Sequence, residues 1–187
     1  MTQETGQTAD VLVIGAGMAG LTSAAELQRA GCRVLVLDKG RGVGGRLASR
    51  RIEGAAFDHG AQFITARTSR FAELVEEGRR AGVVEEWHRG SFEGPDGHAR
   101  WRGHPAMNAI AKHLAQGLAI RLDTRVRTFQ VHGWLYSKPL QVDEHPCAMV
   151  GRVPPLVLAG DAFAGPRVEG AALSGWAAAE AVLAVAS

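Results

Sequence analysis

The fold is decided by residues 10–46, which read DVLVIGAGMAGLTSAAELQRAGCRVLVLDKGRGVGGR. Four apolar residues lead into a glycine-rich turn, an Ala-rich helical pattern follows, and a second apolar run ends on Asp38. This order predicts a strand, a tight turn, a helix and a parallel strand, which together form the unit that binds dinucleotides.

Each glycine of the turn has its own physical role. Gly15 allows the sharp turn, Gly17 lets a pyrophosphate approach the backbone, and Gly20 lets the helix pack closely on the strand. The phosphates would lie at the positive end of the helix that begins near Gly17. Asp38 is placed to accept hydrogen bonds from ribose hydroxyls. The candidate dinucleotide-binding residues of this unit are Gly15, Gly17, Met18, Ala19, Gly20 and Asp38.

Composition restricts the class of protein. A chain of 187 residues fits one domain with a real core. Its 21 basic and 19 acidic residues are too balanced to argue for a nucleic acid or a membrane surface as partner. Two cysteines without a C-x-x-C pair fit a protein from a reducing cell compartment. The N-terminus lacks a signal-like segment, and no run approaches about 20 apolar residues. We therefore expect a soluble, cytoplasmic protein.

The rest of the chain alternates between helical, strand-like and irregular patterns. Residues 1–9 are expected to be a disordered lead, and Gly31 is expected to end the first helix. An amphipathic helix with Thr68 or Ser69 as its cap is expected to follow a glycine-rich loop. The expected elements are strands at 10–15, 33–38, 120–129 and 156–159, helices at 18–30, 68–81 and 108–117, a loop at 39–51 and a β-rich or irregular region at 85–103.

The loop after the second strand contains R-G-x-G-G-R, and with the preceding motifs it resembles the amine-oxidase-type FAD flavoproteins. The resemblance implies that Gly44, Gly45 and Arg46 touch the FAD pyrophosphate, and that Asp38 and Lys39 contact the adenosine ribose. Arg46 also offers a planar donor fork that can hold phosphate with two hydrogen bonds. The candidate residues of this loop are Lys39, Arg41, Gly44, Gly45, Arg46 and Leu47.

A further segment, FDHGAQFITA at residues 57–66, resembles the D-x-G-A-Q-[YF] segment that runs under the flavin in this family. Taken alone it predicts only a short strand with a turn. His59 could be an acid or base there, although packing or hydrogen bonding is the favoured role. The candidate residues of this segment are His59, Gly60, Ala61, Gln62 and Phe63.

The middle of the chain resembles the renalase branch of the family. The pattern W-x-G-x-P-x-M-N-x-I begins at Trp101. For the T-x-V strand that follows, the resemblance implies a contact of the Val126 backbone with adenine. Residues 131–140 then resemble the segment just ahead of the family's final FAD motif. The long substrate-binding domain of that branch would lie between them. We therefore expect that it has been lost near residues 130–131, by engineering, which the clean flanking motifs favour, or by natural reduction.

Residues 154–185 resemble the C-terminal FAD motif of the family. The resemblance implies that Asp161 binds the pyrophosphate or the ribityl hydroxyls. It also implies that residues 168–171 bring a helix N-terminus to the pyrimidine edge of the flavin, where the helix dipole stabilises the charge of the reduced ring. The candidate residues are Gly160, Asp161, Arg167, Val168, Glu169, Gly170, Ala171 and Ser174.

Together these features predict an α/β fold, a single Rossmann-like FAD-binding domain of the glutathione-reductase type at residues 1–187, with a parallel sheet flanked by helices on both faces. FAD is expected to bind non-covalently, since Cys147 does not align with the thiol that tethers FAD in some amine oxidases. The seven histidines show no metal-ligand spacing, so no metal is expected.

The family resemblance implies flavin-dependent oxidation, with hydride passing to the flavin and O2 reoxidising it. Renalase-like relatives act on isomers of reduced nicotinamide dinucleotides. No side chain stands out as a catalyst. Loss of the substrate domain would weaken turnover and expose apolar surface that homo-oligomerisation could cover. A non-catalytic or light-responsive flavin carrier and a plain NAD(P)-binding module remain as alternatives.

Overall fold

The computed structural model describes residues 8–91, 94–126, 139, 141–152 and 155–186. The chain contains both strands and helices, as the sequence pattern predicts, and several strands follow one another directly. The elements are β1 (Val11–Ile14), α1 (Met18–Arg29), β2 (Val34–Leu37), β3 (Ser49–Ile52), β4 (Ala55–Asp58), α2 (Ser69–Arg80), β5 (Val84–Ser91), β6 (Gly94–Gly103), α3 (Asn108–Leu114), β7 (Ala119–Arg121), β8 (Ala148–Arg152), β9 (Pro155–Leu158), α4 (Asp161–Ala164) and α5 (Val168–Ala186).

The central sheet is parallel and has the order β1-β2-β7. Val11 pairs with Val34 at one end, and Leu35 pairs with Ala119 on the other side of β2. The first strand, first helix and second strand thus lie where the sequence predicts them, and Gly31 follows the helix with a φ of 91°. This confirms the Rossmann-like arrangement at the start of the chain.

The other strands form antiparallel pairs, β3 with β4, β5 with β6 and β8 with β9. The expectation of a loop through residues 39–51 is wrong at its end, because β3 begins at Ser49 and pairs with β4. The expected strand at 120–129 is also too long, since β7 ends at Arg121 and residues 122–126 are irregular. The β-rich region at 85–103 is confirmed as the hairpin β5–β6.

Helices α1 and α5 pack closely because small residues line their contact. A Cβ built on Gly175 would overlap the carbonyl oxygen of Ala19 and the hydroxyl of Thr22. The Thr22 hydroxyl lies 3.3 Å from the carbonyl oxygen of Ala172 on α5. Close backbone approach of this kind fixes how the two helices are placed relative to each other.

The expectation that no apolar stretch is long enough to span a membrane is wrong for α5. Residues 168–185 of this helix have a mean hydropathy of 1.3 and are long enough to cross a bilayer. Half of this window is buried inside the protein, however, and Ala172 and Trp176 belong to its hydrophobic core. These observations describe α5 as a core helix that is long and apolar enough to resemble a membrane-spanning helix.

Helix cover on β1 is unequal. α1 packs against β1 and β2, while Leu12 and Ile14 on β1 are 51% and 59% exposed. Leu156 and Leu158 on β9 are also about half exposed. Within the described residues, the expected flanking by helices on both faces is therefore not seen at this strand, and apolar side chains remain at the surface.

Candidate functional site

One cavity of about 720 Å³ brings together three loops that are far apart in the sequence. Gly17, Arg46 and Asp161 all contribute to its wall. The predicted site residues that line it are Gly15, Gly17, Met18, Ala19, Gly20, Gly44, Gly45, Arg46, Leu47, His59, Gly60, Ala61, Gln62, Phe63, Gly160, Asp161, Arg167, Val168, Glu169 and Ala171.

The glycine turn after β1 forms one wall of the cavity. Gly15 has a φ of 107°, a left-handed conformation that favours glycine, and its N–H donates to the carbonyl oxygen of Leu37 at 2.7 Å. A Cβ built on Gly20 would overlap the carbonyl oxygen of Gly15, so only glycine permits this packing. A Cβ on Gly17, by contrast, would meet no protein atom within 4 Å. Gly17 therefore keeps space for a ligand open at the N-terminus of α1.

The second glycine loop lies directly against the first. The N–H of Gly44 donates to the carbonyl oxygen of Ala16 at 2.8 Å, and Gly44 pairs with Gly17 as an isolated bridge. Gly44 has a φ of 123°, and a Cβ on Gly45 would lie 3.3 Å from the Cα of Gly17. A side chain larger than hydrogen at Gly45 would therefore push the two glycine loops apart.

Arg46 and Asp161 form an ion pair in the cavity wall. Arg46 is half exposed and follows Gly45, whereas Asp161 is largely buried at the first position of α4. The Arg46 carbonyl oxygen also accepts the N–H of Ala61 at 2.9 Å, and a Cβ on Gly60 would overlap that oxygen. The segment at residues 57–66, which is predicted to run under the flavin, is thus bound to Arg46 as well.

Asp38 serves the backbone of the glycine turn. One carboxylate oxygen accepts the N–H of Ala16 and the other accepts the N–H of Gly40, each at 2.6 Å. Asp38 does not line the cavity, and neither do Lys39, Arg41 and Val126. The ribose and adenine contacts implied for these four residues stay predictions, while the structure assigns Asp38 a clear role in fixing the turn.

Glu169, in the first turn of α5, reaches the start of α2. One carboxylate oxygen, Oε1, accepts the N–H of Arg67 at 3.0 Å and the N–H and hydroxyl of Thr68 at 2.7 and 2.8 Å. The other oxygen, Oε2, is buried without a partner among the described residues. Thr68 occupies the N-cap position of α2, as predicted, but its hydroxyl makes no capping bond to that helix and contacts Glu169 instead.

Ser174 and Gly170 lie behind the cavity wall and do not line it. The Ser174 hydroxyl is fully buried and accepts the N–H of Gly160 at 2.9 Å. A Cβ on Gly170 would overlap the carbonyl oxygen of Gly165. The structure therefore places both residues as supports of the loop from Gly160 to α5, and their implied cofactor contacts stay predictions.

Sequence reasoning missed seven residues that line the cavity. Arg100, on β6, is 7% exposed and lies 5.5 Å above the ring of Phe63. It reaches the cavity because Trp101 pairs with Ile64, a contact between distant segments that no local pattern indicates. The residues in question are Ile14, Ile64, Thr65, Arg67, Arg100, Ala159 and Pro166.

The charge of the cavity wall suits an anionic ligand. Arg46, Arg67, Arg100 and Arg167 face only two carboxylates, Asp161 and Glu169, which leaves an excess of two positive charges. The oxygen of Glu169 that has partners is already bound to donors of Arg67 and Thr68, just before α2. Within the described residues, no group of three or more His, Cys, Asp and Glu could hold a metal ion.

The expected junction near residues 130–131 lies outside the described residues.

The fold and the cavity define a Rossmann-like dinucleotide-binding domain. Consistent with this class, residues 13–77 match the family model of the NAD(P)-binding Rossmann-like domain. Strands β1 and β2, the glycine turn and the N-terminal end of α1 all lie in or next to this segment.

Known flavoenzymes and desaturases are similar to part of the chain. Putrescine oxidase of Kocuria rosea is 42% identical over 74 residues, which is 40% of this chain and 16% of that protein. Hydroxyneurosporene desaturase of Rubrivivax gelatinosus is 35% identical over 106 residues, 56% of this chain and 20% of that protein. The chain thus spans at most a fifth of the length of these two relatives.

Solved structures give a weaker likeness. Wild-type putrescine oxidase bound to putrescine is 30% identical to the chain, with 49% of this chain and 21% of that chain covered, at a TM-score of 0.37. A TM-score of this size is too low to establish a shared overall fold. The similarity to putrescine oxidase accordingly rests on the sequence match over 74 residues.

Proposed function

We propose that the chain is the FAD-binding domain of an amine-oxidase-type oxidoreductase. FAD is the cofactor that the amine oxidase relatives support. The observation that carries the proposal is the shared cavity, because separate loops around Gly17, Arg46 and Asp161 converge on a single space. A volume of about 720 Å³ falls within the range of roughly 300–1,000 Å³ that is usual for ligand sites.

The residues present fit an adenine–flavin dinucleotide. Gly17 leaves room at the N-terminus of α1, where backbone N–H groups favour a diphosphate. Arg46 supplies a guanidinium directly after the second glycine loop, and Asp161 offers an acceptor for ribityl hydroxyls. The segment 59–63 and the first turn of α5 form the remaining wall and would hold the flavin. We refer to residues 59–67 and the first turn of α5 as the flavin-side wall.

When FAD is bound it supplies the redox chemistry by accepting a hydride from a reduced substrate. The chain's own residues bind and orient the cofactor. Val168, Glu169 and Ala171 in the first turn of α5 line the cavity, and the N-terminus of a helix favours negative charge on a ligand. We infer O2 as the final oxidant and reduced nicotinamide dinucleotides as the substrate class, since renalase-like relatives act on isomers of these compounds.

We further propose that turnover by this chain is weak. The chain spans 16–20% of the length of the two relatives described above, and the family resemblance implies that the substrate-binding domain is lost near residues 130–131. An open cavity neither excludes water nor orients a substrate over the flavin. The exposed side chains of Leu12 and Ile14 would also favour self-association.

The decisive experiment is to purify the protein and record its visible spectrum before and after addition of FAD. We expect a flavin absorption band that survives gel filtration and an extractable, non-covalently bound FAD. Colourless protein that binds no added FAD would disprove the proposal. Steady-state oxidation of reduced nicotinamide dinucleotides, compared with a full-length relative, then tests the weak turnover.

A plain NAD(P)-binding module is the second candidate, and it is favoured by the family model that matches residues 13–77. The two candidates differ in which ligand the second glycine loop and Asp161 contact. Competitive titration with FAD and with NADPH separates them. Binding of NADPH with at least tenfold higher affinity than FAD would support the second candidate.

A further inference from the structure

Glu169 is the one carboxylate that joins the two parts of the flavin-side wall among the described residues. It lies in the first turn of α5, while all of its hydrogen-bond donors belong to Arg67 and Thr68, about a hundred positions earlier in the chain. Only 2% of Glu169 is exposed. A buried carboxylate with three donors on one oxygen is held in a defined position.

These contacts act at the boundary between a loop and a helix. Residues 59–65 and Arg67 line the cavity and have little regular structure, and α2 begins at Ser69 after the N-cap residue Thr68. Trp101 holds this segment near its middle through Ile64, and Arg46 holds it near its start through Ala61. Glu169 supplies the attachment at its end.

We propose that Glu169 is a positioning residue that fixes the end of segment 59–67 to the N-terminus of α5, and thereby sets the width of the flavin half of the cavity. The effect on ligand binding rests on the proposed function, whereas the attachment itself does not. The negative charge also lies beside the N-terminal ends of both α2 and α5, where a carboxylate is favourable. Because Oε2 is buried without a partner among the described residues, the hydrogen bonds found for this side chain are those of Oε1.

The attachment can be tested without any ligand. Amide hydrogen exchange of Arg67 and Thr68 is measured in the wild-type protein and in Glu169→Ala, Glu169→Gln and Glu180→Ala. Glu180 is the matched control, because it is an acid of the same helix that forms an exposed ion pair with Arg70. We expect Glu169→Ala to speed exchange of both amides about tenfold or more, and Glu180→Ala to leave them unchanged.

Glu169→Gln serves as the conservative rescue, since its amide oxygen can still accept the same three donors. We expect its exchange rates to lie within about threefold of wild type. If Glu169→Ala does not fold, Thr68→Val, which removes only the hydroxyl donor, is measured in its place, with the amide N–H of Thr68 expected to exchange faster. Unchanged exchange in Glu169→Ala, or in Thr68→Val, would overturn the proposal.

The consequence for the ligand is tested by comparing FAD with ADP, which lacks the flavin and ribityl groups. We expect Glu169→Ala to weaken FAD binding about tenfold or more while the Kd for ADP stays within about twofold, because ADP does not need the flavin-side wall. Equal weakening of both ligands would contradict a local positioning role. Wild-type protein that binds neither ligand would refute the proposed function, while the exchange experiment would still decide the attachment.

Discussion

Arg46 and Asp161 form an ion pair although 115 positions separate them in the sequence. Arg46 follows the second glycine loop, and Asp161 begins the short helix α4 after β9. The pair therefore links the N-terminal dinucleotide unit to the C-terminal segment at the wall of the cavity. It also holds the Arg46 guanidinium at the wall of the cavity, and the proposed function assigns it a diphosphate contact.

Arg46→Gln is expected to weaken FAD binding by about 10- to 100-fold, because a charge-assisted bond to phosphate is lost and Asp161 loses its cation. The measurement is a titration of FAD fluorescence or absorbance. Arg50→Gln is the control, since Arg50 is an exposed residue of β3 that does not line the cavity. An equal loss of affinity in both variants would indicate a general effect of charge instead of a specific contact.

Gly17→Ala and Gly20→Ala are expected to separate binding from folding. A methyl at Gly17 meets no protein atom within 4 Å, so the thermal midpoint without ligand should stay unchanged while FAD binding falls at least tenfold. A methyl at Gly20 would overlap the Gly15 carbonyl oxygen, and we expect it to cost about 1–3 kcal/mol of unfolding free energy. Chemical denaturation and FAD titration of both variants check this; a strongly destabilised Gly17→Ala would contradict it.

Asp38→Ala is expected to destabilise the protein, because it leaves the N–H groups of Ala16 and Gly40 without their acceptor. The cost should be about 1–3 kcal/mol of unfolding free energy, as for other backbone donors that lose a charged partner. Asp123→Ala serves for comparison, since Asp123 is exposed and has a φ of 50° in an irregular segment. A loss of FAD affinity without a loss of stability would instead favour a ribose contact as the main role of Asp38.

Gly175→Ala is expected to push α1 and α5 apart, since its Cβ would overlap Ala19 and Thr22. The predicted loss is about 1–3 kcal/mol of unfolding free energy, measured by denaturant titration. Gly42→Ala gives the matched control, because a Cβ there has no neighbour within 4 Å. If the two variants were equally stable, the close packing of the helices would not matter for folding.

The Asp10–Arg33 pair at the start of the sheet predicts a pH dependence. The side-chain hydrogen bond from Arg33 lowers the pKa of Asp10 from 3.8 to about 2. Since the folded-state pKa is the lower one, the stabilisation is complete above about pH 4 and is lost as the pH falls toward 2. The difference in thermal midpoint between wild type and Asp10→Asn should thus be present at pH 6 and vanish near pH 2. A constant difference across this range would argue against an electrostatic origin.

The N-terminal half of the site could be predicted because its signals are local. A glycine triplet between a strand and a helix, with Asp38 eighteen positions after Gly20, requires a particular backbone and leaves few alternatives. The strands β1 and β2, the helix α1 and the open space at Gly17 accordingly lie where the sequence places them. Bounds of short strands such as β7 were less predictable, since three residues of alternation carry little information.

The sequence by itself determined the dinucleotide-binding unit, because chain reversal at glycine and the period of apolar residues depend on near neighbours. Only the tertiary structure decided that Asp161 meets Arg46, that Arg100 enters the cavity through the pairing of Trp101 with Ile64, and that Glu169 binds the start of α2. These contacts depend on how separate elements pack in space, and no local pattern encodes that arrangement.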